Sequence, residues 1–204
     1  AFKEALKYDP NCAMAYWGIA AAKGPNYNAA MDAEATKASF EASRKALGLA
    51  PNATQPERDY IAAMSVRYTD KPDAVRADLD KAYSDAMREL AKKYPDDDDA
   101  QTLFAESLMN LRPWQLWAKD GTPSDVTPEV LQTLEKVLAR NPQHIGAIHY
   151  YIHSTEASPN PEKAEPHADR LGKLIPGAGH MVHMPAHVYI RTGRYDDGVK
   201  VNIK

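Results

Sequence analysis

The chain has 204 residues, 44% apolar and 26% charged, which is ordinary for a globular protein in water and excludes collagen-like, disordered and disulfide-scaffold chains. Its 25 basic and 28 acidic side chains give a formal charge of -3, the wrong sign for a nucleic-acid or anionic-membrane surface. No apolar run approaches the ~20 residues of a membrane span, and the lone Cys12 can build neither an internal disulfide nor a thiolate metal site. Two biases remain. Alanine is used 33 times against 17 for valine and isoleucine together, which favours closely packed helices over sheets. All seven histidines lie between His144 and His187.

In chain order, apolar periodicity predicts helices over residues 1–8, 11–23, 28–48, 56–69, 72–93, 97–111, 127–140, 144–156, 162–174 and 179–192, with another begun at 195. The opening AFKEALKYDP is an amphipathic fragment without the basic start and apolar centre of a secretory leader. It reads as a helix whose partner is missing, and VNIK ends the chain in a helix hardly begun. The expectation is therefore a segment of a longer protein, or a unit that stacks end to end with copies of itself.

Two stretches interrupt the helices. GPNYN at 24–28 carries a helix-stopping glycine and proline, and RPWQLWAKDGTPSDVTP at 112–128 is a long connection with Trp114 and Trp117. The tryptophans are expected to seal that loop onto the helices. The run Asp96 to Asp99 precedes a helix, where carboxylates accept free N–H groups; it lacks the alternation and glycine of a calcium loop.

Prolines at 10, 51, 95, 142 and 176 each close one helix before another opens, at spacings of 41, 44, 47 and 34 residues. Five positions before them stand Ala5, Ala46, Leu90, Val137 and Leu171. This pattern resembles the tetratricopeptide repeat (TPR) family, whose unit is two antiparallel helices, A and B. The match is clearest in GAGHMVHMPAHVYIRTGRY. With Gly179 as position 1, Ala186 takes the small residue at 8, Tyr189 the aromatic at 11, Gly193 the glycine at 15 and Tyr195 the aromatic at 17. Tyr16, Ile19 and Ala20 match positions 4, 7 and 8 of an earlier repeat, preceded by Phe2, Ala5 and Pro10 at 24, 27 and 32. The resemblance implies an all-α fold, a right-handed α-solenoid of about five helix pairs spanning residues 1–204 as one domain. It also implies a groove lined by the A helices at positions 2, 5, 9, 12 and 13.

That register puts His149, His153 and Glu156 at positions 5, 9 and 12 of one A helix, and His180, His183 and His187 at 2, 5 and 9 of the next. The helical wheel agrees independently, since at about 100° per residue each trio spans an arc of about 60°. Glu106 and Asn110, at positions 9 and 13 of the preceding A helix, face the same side, and Tyr150, Tyr189 and Arg191 add groove contacts. Histidines at i and i+4 can chelate one ion, with a facing helix completing the set. Imidazole with a nearby carboxylate suits a transition metal, copper or zinc first, then iron or nickel; Met181 and Met184 would favour copper. Pro185 either kinks the last A helix or delays its start. His144 and His167 read as ordinary structural histidines.

The leading expectation is a TPR-like scaffold with a metal site at His149, His153, Glu156, His180, His183 and His187. Two alternatives stand beside it. One is a groove that binds protein or peptide without metal, although the family's clamp for acidic tails uses lysine, arginine and asparagine where this chain has histidine. The other is a subunit that assembles head to tail. No nucleophile with a recognisable partner and no phosphate-binding loop occurs, so the sequence offers no catalytic residue.

Overall fold

Every predicted amphipathic stretch forms a helix in the computed structural model, which describes residues 1–71 and 73–203. Among the described residues the only β-type pairings are isolated bridges at Asn26–Ala29 and Trp117–Pro123. No helix among them is long and apolar enough to cross a membrane. The chain divides into two compact units, 1–94 and 95–204.

The first unit comprises α1 (Phe2–Tyr8), α2 (Ala13–Lys23), α3 (Ala33–Leu49), α4 (Gln55–Ser65) and α5 (Arg76–Lys93). Consecutive helices pack as neighbours, α2, α3 and α4 around Ala13, Ala46, Ala50 and Ile61, with α5 on α4. Alanine at these positions lets the backbones approach, and Trp17 covers the seam with its indole N–H donating to the Tyr60 carbonyl at 3.2 Å. The third helix starts later than predicted, at Ala33. Asn26 Oδ1 instead accepts from the Asn28 and Ala29 amides in a tight turn, and Asp32 then caps α3 by accepting from Ala35 N at 2.7 Å. The fourth ends earlier, at Ser65. Arg67 and Tyr68 turn inward, donating to the Pro25 and Ala20 carbonyls at 2.8 Å each. The predicted start of the next helix, Pro72, lies outside the described residues.

The second unit comprises α6 (Asp98–Met109), α7 (Thr127–Arg140), α8 (Ile145–Thr155), α9 (Glu165–Leu174), α10 (Gly179–His183), α11 (Pro185–Tyr189) and α12 (Tyr195–Asn202), with a 3-10 turn at Pro161–Ala164. The A-type helices α6, α8 and α10–α11 alternate with the B-type α7, α9 and α12. Leu134, Val137, Ile148, Ile152 and Leu171 are fully buried between them. The aspartate run caps as expected: Asp97 accepts from Ala100 N, while Asp98 meets Arg140 at the end of α7 and Asp99 meets His144 at the start of the following repeat. Gly193, at φ 79°, closes α11 with the Arg194 amide reaching back to the Tyr189 carbonyl at 2.9 Å.

The final A helix, expected to kink at Pro185 or to start late, is interrupted there and forms α10 and α11. Pro185 brings no N–H for the Met181 carbonyl. The backbone keeps right-handed helical angles at Met184, so the path bends there without unwinding into a loop.

Candidate metal centre

Helix α8 presents His149 and His153 one turn apart and ends at Glu156; α10 presents His180 and His183, and α11 presents His187. These side chains meet. Nε2 of His149 stands 3.1 Å from Nε2 of His180, and Nε2 of His183 stands 3.0 Å from Nε2 of His187. The His149 and His153 rings are 4.9 Å apart between centroids, and those of His153 and His187 are 5.5 Å apart. All five imidazoles thus form one continuous cluster.

Two overlapping sets of three ligand atoms lie within 4.8 Å of one another: His149, His153 and His180, and His153, Glu156 and His187. His153 belongs to both and is 2% exposed. His183 joins neither set. Its Nδ1 is tied to Asn202 Oδ1 at 2.6 Å, while Asn202 Nδ2 donates to the Gly198 carbonyl, so α12 orients this ring.

Glu156 organises the cluster from below. Oε1 accepts from Nδ1 of His153 at 3.0 Å, and Oε2 accepts from Nδ1 of His187. A carboxylate that accepts a hydrogen bond from Nδ1–H of a neutral imidazole leaves Nε2 as the lone-pair side, the arrangement that orients ligating histidines. Burial alone would raise the Glu156 pKa, but the hydrogen bonds from His153 and His187 outweigh it and bring it down to about 2. His149 lies well below an ordinary histidine: burial first, then the neighbouring histidines, lower it to about 3. Burial and the neighbouring rings lower His180 as well. At neutral pH both are therefore unprotonated bases, able to ligate without first losing a proton.

Trp114 roofs the buried histidine, its ring edge-on to His153 at 6.2 Å between centroids. It is the one non-glycine residue among the described residues with positive φ, 59°, and its side chain is 58% exposed. A bulky residue held in the left-handed region signals a local constraint. Trp117 does what the sequence suggested, sealing the loop by donating from Nε1 to the Ser154 carbonyl at 2.8 Å.

The other sequence-derived residues enter neither ligand set. Glu106 and Asn110 are buried on α6, with Asn110 Nδ2 donating to Glu106 Oε1 at 2.5 Å. The Tyr150 ring lies 4.8 Å from His149, and Arg191 is exposed in the turn after α11. Met184 is fully buried in the core. His144 caps α8, accepting from Ala147 N at 3.0 Å, and His167 contacts Arg170 and the Tyr151 ring. The sequence reading missed Asn202, which carries no motif, and the role of Trp114, whose place in the long A-to-B connection was the available signal.

No family model matches the chain, and no curated protein matches it in sequence. Among solved structures, it is similar to the crystal structure of YrrB, described as a TPR protein with an unusual peptide-binding site. The TM-score is 0.50 at 13% identity, covering 98% of this chain and 88% of that one. At this identity the likeness concerns fold alone. With the alternating A and B helices and the glycine turn at Gly193, it establishes that this chain has a tetratricopeptide-repeat-like, all-α fold.

Proposed function

We propose that this protein is a TPR-like scaffold whose second unit holds a transition-metal ion at the histidine face of α8, α10 and α11. The observation that carries this reading is the spacing of imidazole nitrogens. Two nitrogens bound about 2.0–2.1 Å from a tetrahedral ion stand about 3.3 Å apart. The His149–His180 pair, at 3.1 Å between Nε2 atoms, is close to that separation before any ion is considered. His153 is the third ligand, with its ring held from behind by Glu156. Zinc or copper suits such a donor set best, with iron and nickel next.

The test is elemental analysis of untagged protein after reconstitution and desalting. The expected result is about one equivalent of zinc or copper per chain, lost when His149 and His180 are both changed to alanine. Less than about a tenth of an equivalent of any transition metal would overturn the proposal.

A second reading is favoured by the similarity to YrrB, a protein with a peptide-binding site. On this reading the same groove captures a peptide, with Tyr150 and the histidines as contacts. His149→Ala/His187→Ala protein should then lose peptide capture even in chelator; unchanged capture would argue against it.

A further inference from the structure

A cavity adjoins the histidine cluster. It is a cleft of about 630 Å³ between the 117–121 segment of the long A-to-B connection and the 156–159 and 187–191 segments around α8 and α11. This is within the range of sites that enclose small organic molecules. Its walls are built rather than loose. The Trp117 indole is fixed by Ser154, and a Cβ placed on Gly121, which sits at φ 85°, would stand only 2.8 Å from Pro159 Cγ, so the loop tip rests directly on Pro159. Thr127 Oγ1 donates to the Leu116 carbonyl at 2.6 Å and anchors the loop's far end.

The charges of this cleft balance in number but differ in their commitments. Four charged side chains line it: Lys119, Asp120, Glu156 and Arg191. Both carboxylates already have donors, since Asp120 Oδ1 accepts from Thr122 N at 2.9 Å and Glu156 accepts from His153 and His187. Neither cation has a side-chain partner among the described residues. The same cleft is lined by the apolar surfaces of Trp117, Pro159 and Ile190, the last 56% exposed. Two uncommitted cations beside an aromatic and aliphatic wall form a complementary surface for an anion attached to an apolar body.

We propose that this cleft binds a small organic acid, its carboxylate taken by Lys119 and Arg191 and its apolar part lying against Trp117 and Ile190. The cations belong to the A-to-B connections of two different repeats and not to the A helices. Glu156 and His187 belong to both cleft and histidine cluster, so an ion held by the cluster would lie next to the bound acid. Retention of the acid rests on the cations and does not require that ion.

The experiment is calorimetric titration of phenylacetate and its neutral isostere phenylacetamide into metal-free and zinc-treated protein, with zinc content measured separately. Phenylacetate is expected to bind both forms, the amide at least about tenfold more weakly. The Lys119→Gln/Arg191→Gln variant is expected to lose at least about tenfold in phenylacetate affinity with its zinc content and thermal midpoint unchanged. The proposal is overturned if no heat is seen up to about 20 mM, if acid and amide bind within about twofold, or if the double variant binds like the parent. A blocked peptide ending in phenylalanine that binds at least about tenfold more tightly than phenylacetate would also overturn it, replacing a small acid with a chain terminus. Absence of zinc with retained phenylacetate binding would reject the metal reading while supporting this one.

Discussion

His149 and His180, 31 residues apart in sequence, place their Nε2 atoms 3.1 Å from each other. Without an ion the contact is a single N–H···N hydrogen bond; with one, it is a chelate. His180→Ala removes the only α10 member of the all-histidine ligand set, and the resulting protein should bind zinc at least about 100-fold more weakly in a competition titration with a chromogenic chelator. Because His180 is exposed, its loss should change the stability of chelator-treated protein by no more than about 0.5 kcal/mol. Unaltered zinc affinity would remove α10 from the site.

Glu156→Gln tests the carboxylate that orients two rings at once. A glutamine offers one oxygen, so its NH₂ group must face the Nδ1–H of His153 or His187 and turn that ring to its other tautomer. Zinc affinity should fall about 10–100-fold, the usual cost of losing such an outer partner. Nδ1 and Nε2 chemical shifts of the two rings would report the tautomer change directly.

Trp114→Gly separates backbone strain from shielding. Glycine adopts φ 59° freely, so the variant should be as stable as the parent or more stable by about 1 kcal/mol. Its loss also uncovers His153, and zinc should leave faster when mixed with excess chelator. Equal release rates would show that the indole does not guard the centre.

Gly24→Ala probes the first unit, far from the histidines in sequence. A Cβ at this buried position would stand 2.1 Å from the Tyr68 hydroxyl, which donates to the Ala20 carbonyl. Displacing that buried hydroxyl should cost about 1–3 kcal/mol in chemical denaturation, and Tyr68→Phe in the same background should recover part of it.

Asp59 supplies a pH signature. Hydrogen bonds from Lys93 first and Tyr94 second hold its carboxyl below the ordinary aspartate value. A depressed folded-state pKa means the stabilisation is complete above the unfolded value, about 3.9, and is lost as pH falls through the folded value. Asp59→Asn should therefore be less stable than the parent at pH 6, with the gap closing as pH falls below the ordinary aspartate value and through the lowered folded one. A gap that widens on acidification would contradict this assignment.

The helix pairs were legible because their causes are local. Small or apolar residues five positions before each of the helix-closing prolines, and a glycine seventeen residues after Pro176, dictate where a helix closes and a new one must pack, whatever surrounds it. The two histidine trios were legible for the same reason, since spacing along one helix fixes which residues share a face. Where tertiary bonds competed with the pattern, as Arg67 and Tyr68 do by turning inward at the end of α4, the boundaries moved.

Spacing says nothing about distance across helices. That His149 pairs with His180, and His183 with His187 and Asn202, depends on how α8, α10 and α12 lie against one another and on the bend at Pro185. The inward face of each helix was written in the sequence by itself. The ring-to-ring contacts, the double hold of Glu156 on His153 and His187, and the cleft beneath the Trp117 loop were decided only by tertiary packing, because side chains distant in the chain acquire their separations from the burial of apolar surface between the helices that carry them.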